Sequence, residues 1–200
     1  MQFPHTYFED EIREGFYITG AMKRAWAAQL EVLEEIDKVC KKHNIRWFAD
    51  CGTLLGAVRH GGYIPWDDDM DICMLRPDYI KFNQVAEQEL PKSFVVLNMH
   101  KEELYLEYMT RVTNGHRLNF DSNYLEKYHD CPYATGIDIF VLDYIAEDEE
   151  EEKERKALAT LIMAAGDEIK EDNSNIGEYE DVLKQIEELC LVEFDYTQCI

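Results

Sequence analysis

No stretch of this 200-residue chain approaches the roughly 20 apolar residues of a membrane span, so no transmembrane segment is expected in it. The opening run, MQFPHTYFEDEIREGFY, has neither a basic n-region nor an apolar h-region, which argues against a secretory signal. Basic residues are scarce: 20 Lys and Arg stand against 42 Asp and Glu, a formal charge of −22. With no basic stripe to offset that charge, a nucleic acid would be repelled and is not expected as a partner. The six cysteines, Cys40, Cys51, Cys73, Cys131, Cys190 and Cys199, include no Cys-x-x-Cys pair and have no matching histidine spacing, so neither a zinc site nor a disulfide framework is expected. Several lie in apolar segments, where a free thiol behaves as a small hydrophobe; a reducing, cytoplasmic setting fits them best. Internal repeats are absent, and the one biased stretch is the acidic run Glu147 to Glu154, read as a solvated helix start or linker.

The chain is long enough for one α/β domain with a substantial core. Trp26, Leu30, Leu33, Ile36 and Cys40 recur three or four apart and predict an amphipathic helix over Ala21 to Lys42, stopped at Asn44. Its apolar stripe is read as core packing. Strands are expected at Ile45 to Cys51, Asp69 to Leu75, Phe94 to Met99, Leu104 to Thr113 and around Asp138. Short helices are expected at Thr53 to His60 and from Pro77 to Leu90. From Glu147 the pattern turns helical, as two helices meeting near Asn173 to Gly177. The fold class is therefore α/β, a mixed sheet flanked by helices with a helical C-terminal part: residues 1–145 form the core and residues 146–200 a helical extension.

Four aspartates occupy five positions in Ile64-Pro-Trp-Asp-Asp-Asp-Met-Asp-Ile72. In an extended strand Asp67, Asp69 and Asp71 project from one face while Asp68 and Met70 point away. At a separation of about 6.5 Å and an effective dielectric of about 20, each adjacent pair repels by roughly 2.5 kcal/mol, so the cluster calls for protonation or a cation. Oxygen donors without nearby histidine or thiolate suit Mg²⁺ or Mn²⁺. A solvated acidic loop is the plain alternative, but apolar residues flank the run on both sides. An EF-hand fails because Ile72 stands where a turning glycine is needed and Asp78 where a bidentate glutamate is needed. Upstream, Gly52 and Thr53 sit between an apolar run and helically spaced Leu54, Leu55, Ala57 and Val58, which reads as strand, tight turn, helix. Such a turn either cradles a phosphate on its backbone N–H groups or is an ordinary cap with Thr53 as N-cap. Farther along, Asp138 interrupts Thr135-Gly-Ile-Asp-Ile-Phe-Val141; Ile137, Ile139 and Val141 share one face and Asp138 the other, which leaves solvent and active site equally open.

Taken together, GTLLGAVRHGG, IPWDDDMDI, Arg76-Pro77-Asp78-Tyr79 and GIDIFVLD ending at Asp143 resemble the LicD-type phosphotransferases, relatives of the fukutin-related proteins in the nucleotidyltransferase superfamily. The resemblance extends more loosely over residues 20 to 145. It implies a nucleotidyltransferase-like fold and metal-dependent transfer of phosphocholine, or a related phospho-substituent, from a CDP-linked donor such as CDP-choline to a sugar of a glycan or glycolipid of the cell surface, such as teichoic acid or lipopolysaccharide. Carried over by position, Gly52 and Thr53 resemble the phosphate turn, and Asp69, Asp71 and Asp138 the catalytic, metal-binding acids. Asp67 and Asp68 then lie just behind or on the acceptor side. Arg59, His60 and Arg111 are candidates to neutralise donor phosphates, and Tyr63 and Trp66 to stack on a base or cap a choline cation. Such an enzyme would work in the cytoplasm at the inner face of the membrane, by peripheral association at most. Two departures stand out: Val141 replaces the family's usual proline, and a Tyr-Gly-Asp motif with a basic tail is missing, so a shortened form is expected. The other readings are a nucleotidyltransferase acting on a small molecule or protein, a catalytically silent nucleotide- or metal-binding domain, and a structural acidic interaction protein.

Overall fold

The computed structural model of the chain describes residues 1–99, 105, 107–171 and 176–190. A 3₁₀ turn (His5–Phe8) leads into a small hairpin, β1 (Glu11–Arg13) and β2 (Phe16–Ile18). Its two-residue loop, Glu14 and Gly15, takes positive φ at both positions, the twist that a tight hairpin requires. Helix α1 (Gly20–His43) starts at Thr19, whose hydroxyl accepts from the Met22 N–H at 3.2 Å, and stops at Asn44 in the left-handed conformation. There follow β3 (Phe48–Ala49), α2 (Cys51–Arg59), β4 (Asp71–Leu75), α3 (Arg76–Glu89), β5 (Val95–Leu97), β6 (Thr110–Thr113), α4 (Ser122–Lys127), β7 (Gly136–Leu142), α5 (Glu149–Glu171) and α6 (Ile176–Cys190).

Five of the strands form one mixed sheet in the order β3-β4-β7-β6-β5, with β4 parallel to β7 and every other pair antiparallel. The expected α/β class with helical C-terminal elements is what forms. Strand alternation divides the sheet cleanly. Ile72 and Met74 of β4, Ile137 and Ile139 of β7 and Val112 of β6 join the buried core with Val32, Ile36 and Val39 of α1 and Phe82 and Ala86 of α3. Full burial of each such side chain contributes about 1.5–3 kcal/mol. The opposite face carries Asp71, Asp138 and Arg111. Among the described residues no helix is long and apolar enough to cross a membrane, and Cys40, Cys51, Cys73, Cys131 and Cys190 are free thiols; Cys199 lies outside the described residues.

Where the elements depart from expectation, hydrogen bonds explain why. The strand expected over Ile45 to Cys51 shrinks to Phe48–Ala49, because the Ile45 N–H donates back to the Cys40 carbonyl at 2.8 Å and Asp50 leaves to cap α2. The strand expected from Asp69 begins only at Asp71, although the Met70 carbonyl accepts from the Asp138 N–H at 3.1 Å; just before it, the Asp67 and Asp68 carbonyls accept from the Trp26 indole and the Gln29 amide, each at 2.9 Å. Helix α4, within what reads as polar loop, is started by Asp121, which accepts from the Asn123 and Tyr124 N–H groups. Of the strand expected over Leu104 to Thr113, Leu104 and Leu106 lie outside the described residues, and among the described ones only Thr110–Thr113 is strand. So do residues 172–175 at the expected junction of the two last helices.

Arg76, at the first position of α3, is 3% exposed and holds the far end of the sheet together. Its Nε and one terminal nitrogen donate to both oxygens of Asp143, at 2.7 and 2.6 Å, just past the end of β7. The other terminal nitrogen donates to Glu187 of α6 at 3.1 Å. This fork satisfies a charge that would otherwise be prohibitive to bury. Arg76→Ala would remove the buried cation that Asp143 and Glu187 share, and urea unfolding is expected to show a loss of about 3–5 kcal/mol, against less than about 0.5 kcal/mol for an exposed control such as Arg59→Ala.

Candidate functional site

Sheet register assembles the site. Asp71 of β4 stands opposite Asp138 of β7, and Asp138 opposite Arg111 of β6. One step beyond the β3–β4 pair Ala49–Ile72, the Asp50 N–H donates to the Asp71 carbonyl at 3.1 Å. Asp50, Asp71, Asp138 and Arg111 therefore cross the sheet in a single row. Arg111 grips Asp138 with a two-pronged hydrogen bond, Nε to Oδ1 at 2.5 Å and a terminal nitrogen to Oδ2 at 2.6 Å. Being 44% exposed while Asp138 is 15% exposed, the arginine side chain faces solvent over the carboxylate.

The loop before β4 adds three more acids. Carboxylate oxygens of Asp67, Asp68 and Asp69 lie within 4.8 Å of one another, a set able to hold a metal ion. The expectation that Asp68 points away is thus corrected: with residues 67–70 out of the strand, alternation no longer governs them. Gly52 of α2 lies directly under this loop. A Cβ at that position would stand 2.3 Å from Asp67 Oδ2, so any side chain there would make the Asp67 carboxylate shift.

Thr53 is in the site but not as an N-cap. That role belongs to Asp50, whose Oδ1 accepts from the Cys51 N–H at 2.9 Å, and α2 begins two residues before the expected Thr53. The Thr53 hydroxyl instead accepts from the Asp71 N–H at 2.8 Å and ties α2 to the start of β4. Asp50 escaped the sequence reading, although an aspartate directly before a helix is the commonest capping signal. Arg59 and His60 are engaged elsewhere. Six residues along α2 from Thr53, about 9 Å at 1.5 Å per residue, Arg59 Nε donates to His60 Nδ1 at 3.3 Å and His60 Nε2 pairs with Glu14 of the hairpin loop at 3.2 Å. Trp66 is half exposed, with its ring near His60 and Phe16. The close approach of Gly56 to the Gly62 carbonyl, where a Cβ would lie at 2.5 Å, folds this end of α2 back on itself.

Electrostatics follow from crowding. Burial and the carboxylates of Asp69, Asp138, Asp67 and Asp50 push the Asp71 carboxyl up to about 6. Burial, with Asp69 beside it, also raises Asp67, and the exposed Cys51 thiol is raised by burial and by Asp50, Asp71 and Asp69. Beneath the loop, between α1, β3 and α2, lies a cavity of about 200 Å³ whose rim includes Asp67, Asp69 and Thr53. A larger cleft of about 590 Å³ lies between the N-terminal segment and α4, beside Phe8, Arg24 and His129, and no residue of the acid row lines it.

The raised Asp71 carboxyl has a sign that can be tested. Because the folded state holds this proton more tightly than the unfolded chain, ionising Asp71 costs stability as pH rises from about 4 to about 6, and the cost is complete above that range. After discounting for solvent screening it is about 1 kcal/mol. Without divalent cations, Asp71→Asn is expected to melt about 2–4 °C above wild type at pH 7.5 and to lose that advantage at pH 4, as followed by circular dichroism.

Comparison with known proteins places the chain in a family. The LicD/FKTN/FKRP nucleotidyltransferase domain matches residues 44–154, more than half of the chain. The lipopolysaccharide cholinephosphotransferase LicD of Haemophilus influenzae is 43% identical over 60 residues, 30% of this chain and 23% of that protein. Two uncharacterized rickettsial proteins are also similar: one of Rickettsia typhi, 43% identical over 58 residues (29% of this chain, 19% of that protein), and one of Rickettsia prowazekii, 34% identical over 87 residues (44% and 32%). The aligned stretch spans less than a third of each relative's own length. With Asp50, Asp71 and Asp138 on one sheet face and the acid loop beside them, the chain belongs to the LicD/FKTN/FKRP nucleotidyltransferase-domain family.

Proposed function

We propose that this protein transfers phosphocholine, or a related phospho-substituent, from a CDP-linked donor to a sugar hydroxyl of a glycan or glycolipid, in a reaction that depends on Mg²⁺ or Mn²⁺. The observation that carries this reading is the in-register pairing of Asp71 with Asp138 beside the Asp67–Asp69 loop. Membership of the family and similarity to a cholinephosphotransferase support transferase chemistry.

Asp69 and Asp71, with Asp138, are the residues that would hold the cation; their hard carboxylate oxygens suit Mg²⁺ or Mn²⁺, and their crowding raises the Asp71 carboxyl. When bound, the ion supplies Lewis-acid stabilisation of charge on the phosphates. In the transfer, the acceptor hydroxyl oxygen forms a bond to the choline-bearing phosphorus while the bond from that phosphorus to the CMP oxygen breaks. CMP leaves, and the hydroxyl proton passes to a carboxylate of the row, for which Asp138 is the candidate. Arg111 orients Asp138 through its two-pronged grip and brings a positive charge to an otherwise acidic site where phosphates would arrive. Thr53 fixes the start of β4 and with it the position of Asp71. Arg59 and His60, which tie α2 to the hairpin, would reach the donor only if that contact opened.

The direct test is transfer from CDP-choline to lipopolysaccharide or teichoic-acid fragments with product analysis. CMP release with Mg²⁺ is expected, and Asp69→Asn or Asp71→Asn should each lower kcat by at least about 10²–10³ with the circular dichroism spectrum unchanged. Pyrophosphate release from CTP would point instead to nucleotidyl transfer, and full activity in both variants would overturn the assignment. Arg111→Ala is expected to weaken donor binding about tenfold, the scale of a lost charged hydrogen bond; unchanged affinity would remove Arg111 from the donor site.

A further inference from the structure

The cavity under the acid loop is built for one kind of guest. Its walls include Leu30, Trp47, Ala57, Tyr63, Ile64 and Met70, and Asp67 and Asp69 are its charged lining residues. Both aromatic residues spend their polar ends elsewhere. The Trp47 indole donates to Asp37 Oδ1 at 3.1 Å, and the Tyr63 hydroxyl donates to Gln29 Oε1 at 2.9 Å while its ring stacks on Trp26 with centroids 4.8 Å apart. What these two side chains offer the cavity is therefore ring surface. A guest must be compact, must present apolar atoms to the walls and must carry positive charge to suit the two carboxylates. A quaternary ammonium meets all three conditions, since it has no N–H donors to satisfy and spreads its charge over methyl groups. A primary ammonium would lose water from donors that two carboxylates on one rim cannot all replace, and a polyol would bury several hydroxyls without partners.

We infer that this cavity seats the quaternary ammonium of the transferred group and sets the specificity of the chain for choline over ethanolamine or polyol substituents, an inference that rests on the donor reading above. The placement is consistent with that reading, because the cavity shares Gly52, Thr53, Asp67 and Asp69 with the acid site. A phosphorus held at the acids would stand within a few bonds of the cavity mouth. Trp47, outside every functional motif in the sequence, becomes a specificity-determining residue.

Two measurements test this independently. In the first, choline chloride and ethanolamine hydrochloride are titrated at equal concentration while the Trp47 indole NMR resonance, assigned with Trp47→Leu, is followed; choline is expected to move it and ethanolamine to leave it in place. In the second, calorimetry with Mg²⁺ compares CDP-choline with CDP-ethanolamine. Wild type is expected to favour CDP-choline about tenfold, and that ratio should fall to about two or less in Trp47→Leu. Ala57→Phe, on an exposed residue of α2 that also lines the cavity, fills the same space without removing any core side chain and should lower the ratio likewise. A silent Trp47 resonance overturns the inference, as does a wild-type ratio near one or a ratio unchanged in both variants. If the CDP compounds bind equally, the cavity assignment fails and the donor reading stands. If choline moves Trp47 but no cytidine nucleotide binds, the donor reading fails, and the cavity holds a quaternary ammonium that is not a transferred group.

Discussion

The parallel pairing of β4 with β7 is the constraint on which the acid site depends. Side chains alternate along a strand, so slipping one strand by a single residue against the other would turn its aspartate into the core and bring an isoleucine to the site face. The core forbids that slip. Ile72, Ile137 and Ile139 are fully buried against α1 and α3, and exposing them would cost about 1.5–3 kcal/mol apiece. Apolar packing on one face thereby sets the spacing of charges on the other. The site needs no dedicated scaffold of its own; it is the reverse side of a well-packed core.

Two arginine–carboxylate forks sit at opposite ends of the same idea. Arg76 with Asp143 is buried and joins α3, β7 and α6, a structural tie whose value lies in satisfying charges away from water. Arg111 with Asp138 has the same geometry but lies open to solvent within a row of acids. An exposed pair of this kind adds little stability. The contrast separates framework from function within motifs that a sequence presents as one block: Asp138 and Asp143 are five residues apart, yet one lies in the site and the other in the frame.

Much of this was legible in the chain. Periodicity located α1 to within one residue at each end, and the flanking apolar runs marked the strands that carry Asp71 and Asp138. The Ile137, Ile139 and Val141 face was foreseen, and with it the placement of Asp138 on the other. What was hidden depends on contacts between distant residues. That Asp67 and Asp68 are held by Trp26 and Gln29, some forty positions earlier, which take up their carbonyls, could not be read from the local pattern. Asp50 became visible as a member of the row only once β3 was paired with β4. The N-terminal hairpin, with strands of three residues, is too short for any periodic signal, so His60 gave no sign of its partner Glu14.

Trp26 and Gln29 also bear on where the working unit begins. Both are nearly buried residues of α1, upstream of the stretch that defines family membership, yet they are what fixes the backbone of the acid loop. A fragment cut at residue 44 would keep every aspartate of the site and lose the two side chains that give their loop its shape. For anyone trimming this chain for crystallisation or grafting its site onto another protein, the first helix belongs with the acids.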